Sequence, residues 1–415
     1  PDNMKTWTTW VPPVGLFCFL LLLLVLAPGT QHWSQSQAFA NMPYILLAVA
    51  ILLGAAFSQS RITYIGILLL SVVFAANRAF SQGIQQRGAA VVLLAAIYVP
   101  MLTAIFRHLH EAGIFTSKGF GRALLVVSSA FMIVILPELE FFRLGTSTSK
   151  LFLIDSTHSL LQIPGLGLAA FCIVVPVLML KREHDNQRLG PAMAFTLLFV
   201  FAGLNFRSNM WPSNQAHTVF LCFSSGAALV LIWYMLENSW HEAYTDELTE
   251  LPTRRSMKQH FSRLDQTYTI AVLDIDHFKA INDKYGHATG DQVLRFIAAH
   301  LRDDEPGKAY RYGGEEFVIV AERCSLDEAI VELDGLRQRI ADRKFMLRSR
   351  SRPRRKPKTP TPSTSELHEA ITVTVSIGIA ECSDTHPTPT EVLAAADKAL
   401  YRAKEEGRNC IRAAR

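Results

Sequence analysis

Arg311-Tyr312-Gly313-Gly314-Glu315-Glu316-Phe317 lies between two short β-type runs, Lys308–Arg311 and Phe317–Ala321. Back-to-back glycines at such a place predict a tight hairpin turn, because the favoured turns want positive φ at both central residues. Two carboxylates follow the turn at once. A turn that lets backbone approach a ligand and then presents paired acids suits a metal–phosphate site. An ordinary hairpin with two solvated glutamates is the alternative reading of these seven residues alone.

Working outward, Thr269-Ile270-Ala271-Val272-Leu273 is β-rich and apolar on consecutive positions, as a strand covered on both faces would be. It ends in Asp274-Ile275-Asp276. Helices are expected over about 253–263, 277–285, 290–302, 326–343 and 391–406, with a long β-type run over 371–380. The hairpin makes part of the sheet antiparallel, so the class is α+β, with helices layered on a mixed, mostly antiparallel central sheet. Thr245 to Pro252 reads as a capped turn leading into this domain.

Composition divides the chain near residue 240. Residues 1–240 hold 13 Lys/Arg and 8 Asp/Glu, and residues 241–415 hold 28 of each, so the whole net charge of +5 belongs to the first part. That part is apolar at membrane-spanning length. Eight helices are expected, over about 11–27, 42–57, 62–77, 89–106, 123–141, 164–180, 191–206 and 217–236; the short link at Gln59–Arg61 leaves seven open. Met4 is read as the natural first residue, and the first helix as a span rather than a cleaved signal peptide. With both termini inside, the inner segments carry eight basic residues and the outer ones five. This bias places the charged half in the cytoplasm. The expected organisation is an all-α polytopic membrane domain over 1–240 and a cytoplasmic α+β domain over 241–415.

The six cysteines are scattered and form no C-x-x-C pair, so neither a zinc site nor a disulfide framework is indicated. His108 and His110 read as a loop pair at the membrane surface rather than as metal ligands. Between Arg348 and Lys358 seven of eleven residues are basic and none is acidic, and Pro/Thr/Ser-rich sequence follows to Ser365. This basic, Pro-rich stretch, 348–366, is disordered by composition. Its expected partner is anionic lipid of the inner leaflet, with a merely solvated loop as the alternative. Glu138 and Glu140 at the end of the fifth span, with Asp155 and His158 beyond it, mark where an unidentified ligand of the membrane region would sit.

Eight short motifs occur in order: Asp246-Glu247-Leu248-Thr249, Asp274 to Lys279, Ile281-Asn282-Asp283, Tyr285-Gly286-His287, Gly290-Asp291, Arg311 to Phe317, Val375-Ser376-Ile377-Gly378, and Ala396-Asp397 to Gly407-Arg408-Asn409. Together they resemble the GGDEF family of diguanylate cyclases over about residues 244–413. The resemblance implies a nucleotidyl-cyclase, palm-like fold that joins two GTP into cyclic di-GMP and releases two pyrophosphates. Each 3′-hydroxyl attacks the α-phosphate of the other GTP, a reaction that needs charge neutralisation and alignment more than a covalent nucleophile.

By the same resemblance, two Mg²⁺ per half-site (or Mn²⁺ in their place) are held by Asp274, the carbonyl of Ile275 and Glu315. Glu315 is also the candidate acceptor of the hydroxyl proton. A metal beside it should depress its pKa. Asp276 and Glu316 stand as supporting or alternative ligands, Glu316 also among the catalytic residues. Lys279 would help the developing phosphate charge. Asp291 would accept guanine N1–H and N2–H₂ side by side, a donor pair adenine lacks. Asn282, His287, Phe278, Gly313 and Gly314 would surround the nucleotide. Lys404 and Arg408, four apart on the last helix and so on one face, would bind the triphosphate.

A single domain holds one GTP, so ring closure implies a two-fold homodimer. Nucleic acid is not an expected partner. Many relatives carry Arg-x-x-Asp before the hairpin as a product-binding site, and this chain has Asp304-Glu305-Pro306-Gly307 instead. Glu250 and Thr253 stand where Gly and Asn are usual. The alternatives are a catalytically silent receptor that only binds GTP or a partner, and a transporter with a fused regulator.

Overall fold

The computed structural model describes residues 14–16, 37–81, 85–114, 116–139, 165–180, 188–205, 213–265, 267–303, 307–347 and 370–414. The chain divides into two compact units, Pro1–Ser239 and Trp240–Arg415.

The first unit is helical: α1 Gln37–Ala56, α2 Ser60–Ser81, α3 Gln85–His108, α4 Ser117–Val134, α5 Gly165–Met179, α6 Leu189–Asn205 and α7 Ser213–Tyr244, whose end from Trp240 on belongs to the second unit. Among the described residues five helices are long and apolar enough to cross a membrane, and α5 and α6 are apolar but shorter. The span expected over 11–27 lies outside the described residues except for 14–16. The spans expected at 42–57 and 62–77 are separate helices, parted at Ser58, whose φ is +57°. They pack closely because Gly54 has no side chain: a Cβ there would stand 2.5 Å from Thr63 Oγ1. The span expected to reach 141 stops at Val134 and gives way to a single 3₁₀ turn, Leu136–Glu138. Pro137, with no N–H to continue the ladder, accounts for the break. Glu138 pairs with Arg78 at 3.0 Å. Glu140, Asp155 and His158 lie outside the described residues.

The second unit contains α8 Arg254–Phe261, β1 Tyr268–Ile275, α9 Phe278–Tyr285, α10 His287–Asp303, β2 Lys308–Arg311, β3 Glu316–Glu322, α11 Leu326–Asp342, β4 Phe345–Met346, β5 Ala370–Ile371, β6 Val375–Glu381, α12 Pro389–Glu405 and β7 Ile411–Ala413. The main sheet runs β2-β3-β1-β6-β7, antiparallel except for the parallel β6/β7 pair. β1 is buried along its whole length. Its odd positions, Ala271, Leu273 and Ile275, join an apolar layer with α10 and α11. Its even positions, Ile270 and Val272, pack with Met257 of α8 and Val392, Ala396 and Leu400 of α12. This period-2 division sends Asp274 to the α12 side.

Three local readings change. The run over 371–380 is broken into β5 and β6, because Thr374 leaves the ladder and its carbonyl accepts the Asp276 N–H at 3.0 Å. The helix expected from Gly290 begins at His287. The short strand β7 was not expected at all.

Candidate active site

β1 ends beside the hairpin. Asp274 is paired across the sheet with Glu316 on one side and Ser376 on the other. Glu315 precedes Glu316 in the turn. The positive φ expected at Gly313 and Gly314 is not found; only Gly286 and Gly407 among the described glycines have it. The connection is four residues long, Tyr312 to Glu315, closed by the Tyr312 and Gly313 N–H groups donating to Glu316 O at 2.9 and 3.1 Å. A loop of that length does not need the two-residue geometry. Glycine serves space instead: a Cβ at Gly313 would come within 2.7 Å of Glu316 Oε2, whereas one at Gly314 would meet nothing within 4 Å.

Arg311 braces this loop. Its guanidinium donates to the carbonyls of Gly313 (3.3 Å) and Gly314 (2.9 Å) and to Asp246 Oδ1 (2.6 Å). Asp246 also accepts the Thr249 N–H (2.9 Å) and hydroxyl (2.7 Å). Burial pushes the Asp246 carboxyl up, but the Thr249 and Arg311 hydrogen bonds outweigh it and hold it below the usual aspartate value. Glu250, where relatives carry Gly, has φ +57°, a conformation that favours glycine.

The carboxylates crowd one another. Asp274 is nearly buried, with 6% of its side chain exposed, and ion-paired with Lys404 Nζ at 3.0 Å. Its pKa is raised, first by burial and then by Asp276, against the opposing pull of Lys404 and Arg408. The Glu315 carboxyl is also pushed up, by burial and then by the charges of Asp274 and Glu316, with Lys404 opposing. The depressed value expected for Glu315 belongs to a site with cations in it. In the bare chain the acids repel.

This donor set fits Mg²⁺. Two carboxylates at adjacent strand ends and a backbone carbonyl supply hard oxygens, and Mg²⁺ is commonly held by one or two carboxylates together with substrate phosphates. Among the described residues no three His, Cys, Asp or Glu side chains form a ready-made cage. Asp276 is already bonded within the fold. Its carboxylate accepts the Ser376 hydroxyl (2.6 Å), the Thr374 hydroxyl (2.8 Å) and the Asn409 N–H (3.0 Å). It is a tie between β1, β6 and the segment before β7.

The remaining residues cluster around α9 and α10. Gly286 caps α9 with φ +86° and turns the chain directly into α10. Gly290 sits against Asn282: a Cβ there would be 1.9 Å from Asn282 Oδ1 and 3.2 Å from the Phe278 ring. Asn282 and Asp291 are thus brought together, Asn282 half-buried and Asp291 exposed, with Phe278 buried beneath them. Lys279 and His287 are exposed on the same helical pair. Lys404 lies on α12, but the helix ends at Glu405, so Arg408 does not share its face as expected. Arg408 stands in a left-handed turn beyond the helix and still acts on Asp274. Sequence reasoning assigned no role to Arg311 in bracing the loop. An arginine placed just before a glycine-rich turn, with an unassigned Asp upstream, was the available signal. Asp304 to Pro306 lie outside the described residues.

The family model for the diguanylate cyclase GGDEF domain matches residues 243–410. The chain is 32% identical over 184 residues to diguanylate cyclase DosC of Escherichia coli, covering 42% of this chain and 36% of that one. It is 35% identical over 191 residues to diguanylate cyclase DgcP of Pseudomonas aeruginosa, covering 43% and 25%. A solved structure of the coiled coil and GGDEF domain of DgcB from Caulobacter crescentus, in complex with c-di-GMP, is 35% identical, covers 43% of this chain and 90% of that one, and has a TM-score of 0.37. The chain spans about a quarter to a third of the length of the two curated relatives. Residues 243–410 are thus similar to the GGDEF domain family, and the two curated relatives named here are diguanylate cyclases.

Proposed function

We propose that the protein is a membrane-bound diguanylate cyclase that condenses two GTP into cyclic di-GMP and two pyrophosphates, its catalytic domain over 241–415 and its membrane region over 1–240. The observation that carries this reading is the meeting of Asp274, Glu315 and Glu316 at one end of the sheet, with Lys404 bonded to Asp274 and Arg408 acting on it.

Asp274, the Ile275 carbonyl and Glu315 would hold the divalent cations, which when bound supply phosphate charge neutralisation and a more acidic attacking hydroxyl. Asp291 and Asn282 orient guanine. Lys404 and Arg408 bind the triphosphate, and Lys279 meets charge that develops on the phosphate. Glu315 is also the group placed to take the 3′-hydroxyl proton.

Two domains must face each other for both bonds to form, so the active unit is a homodimer, and regulation acts on its geometry. Thr253, at the start of α8, donates its N–H to Tyr244 O (3.0 Å) and its hydroxyl to Ala243 O (3.1 Å), and Arg311 N–H donates to Pro252 O (2.9 Å). A displacement at the end of α7 therefore reaches the hairpin through few bonds. A misplacement of about one ångström costs on the order of a hundredfold in rate. For the basic stretch 348–366, outside the described residues, anionic lipid is the proposed partner and a merely solvated loop the alternative.

The test is to incubate the purified full chain with GTP and Mg²⁺ and identify the product by chromatography and mass, with Glu315→Ala as control. Nucleotide binding with no product would mark a silent receptor.

A further inference from the structure

Gly407, Arg408 and Asn409 follow α12 with φ of +110°, +65° and +45°. Left-handed backbone is disfavoured for residues that carry a Cβ, and persists only where the surroundings over-determine it. The bonds that do so here are visible. Arg408 N–H donates to Ala403 O at 3.0 Å, a helix-ending contact. Asn409 N–H donates to Asp276 Oδ2 at 3.0 Å. Arg337, on α11, donates through one nitrogen to both the Asn409 carbonyl (3.0 Å) and the Asn409 side-chain oxygen (2.8 Å).

Arg337 is itself fixed. Its Nε donates to Asp334 Oδ1 at 2.7 Å, and only 14% of its side chain is exposed. It is not among the groups assigned to the nucleotide or the cations. Without it the Asn409 carbonyl and side chain lose a charged donor, and among the described residues the strained turn is left with its own N–H bonds to Ala403 and Asp276. Arg408 lies in this turn, and its charge opposes the rise of the Asp274 pKa.

We infer that Arg337 is a positioning residue for the triphosphate: by gripping Asn409 it holds the left-handed turn that aims Arg408 at the substrate phosphates. The inference rests on the diguanylate cyclase reading for what Arg408 binds. It assigns the neighbouring helix α11 a part in substrate affinity, although none of the residues assigned to the nucleotide lies on α11.

The test is binding of two ligands to the full chain in detergent. One is a GTP analogue with a methylene bridge between the α- and β-phosphorus, which cannot react; the other is GMP. Arg408→Ala should weaken the analogue roughly tenfold, the scale of losing a charge-assisted contact, and leave GMP within about twofold. Arg337→Ala should weaken the analogue in the same selective way. The double variant should bind the analogue no more weakly than Arg408→Ala alone, because the first residue acts through the second. In turnover, Arg337→Ala should raise KM for GTP more than it lowers kcat.

The inference is overturned if Arg337→Ala leaves analogue binding unchanged, if it weakens GMP in step, or if the two losses multiply in the double variant. A wild type that binds the analogue no better than GMP has no triphosphate site and also overturns it. A wild type that binds both but forms no cyclic di-GMP defeats the proposed activity alone, and the binding comparison still decides the role of Arg337.

Discussion

Polar groups are handled in opposite ways in the two units. In the helical unit they close on one another. Glu111 accepts the Ser60 hydroxyl (2.6 Å) and pairs with Arg61 (3.1 Å), and Arg122 donates to Ser60 (3.3 Å). Asn77 joins the Tyr44 hydroxyl (3.1 Å) to the His217 ring (2.9 Å). At the sheet end of the second unit, acids face acids. Asp274 and Glu315 are both pushed toward protonation, and Lys404 opposes only part of that. Self-satisfied polar networks support structure, whereas like charges held together against repulsion mark a place that a counter-charge must complete.

The contrast gives substitutions of similar chemistry different outcomes. Asp274→Ala should lower cyclic di-GMP turnover by about a thousandfold or more, the scale of removing a metal-supported charge-stabilising group, with no loss of melting temperature in metal-free buffer. Steady-state assays and calorimetry check both halves. A loss of stability equal to that of an ordinary core change would erase the distinction between the two regions.

Asp291→Ala should reduce kcat/KM for GTP by about 10- to 100-fold, since buried donors of guanine lose their acceptor. Discrimination against ATP should narrow with it. In the helical unit Glu111→Ala should act only on stability, lowering it by about 1–2 kcal/mol through the lost charged hydrogen bonds. Thermal unfolding in detergent reads this, and the turnover of the folded fraction should stay within about twofold of wild type.

The smallest effect concerns pH. The Asp246 carboxyl is held below its ordinary value of 3.8 in the folded chain. The stability it adds is therefore present above about pH 4 and is lost as pH falls through the folded value. Asp246→Asn should melt below wild type at neutral pH, by about 1 kcal/mol or less given the partial exposure of the pair. The two should converge in acid, and a gap that widened as pH fell would reverse the sign of this linkage.

Much of the second unit was legible because its motifs are local. An apolar run ending in acids, and glycines followed by acids, announce themselves within ten residues. What escaped is held by long-range contacts. Asp276 meets Thr374, Ser376 and Asn409, about 100 to 133 positions away, so nothing near it shows that its oxygens are taken. The turn at 407–409, which carries Arg408 off the face it was expected to share with Lys404, is left-handed because Asp276 and Arg337 hold it from other elements. β7 is three residues long and pairs with β6 in parallel, below the length at which alternation is readable. In the first unit apolar runs located the helices, and their ends were set by features that hydropathy does not weigh, such as Pro137 and the left-handed Ser58.

The most direct measurement is product analysis of the purified full chain with GTP and Mg²⁺, wild type beside Glu315→Ala. The account predicts cyclic di-GMP and two pyrophosphates per product from wild type, and neither from the variant. GTP left intact by a wild type that binds it, or cyclic di-GMP still formed at the wild-type rate without the Glu315 carboxylate, would contradict it.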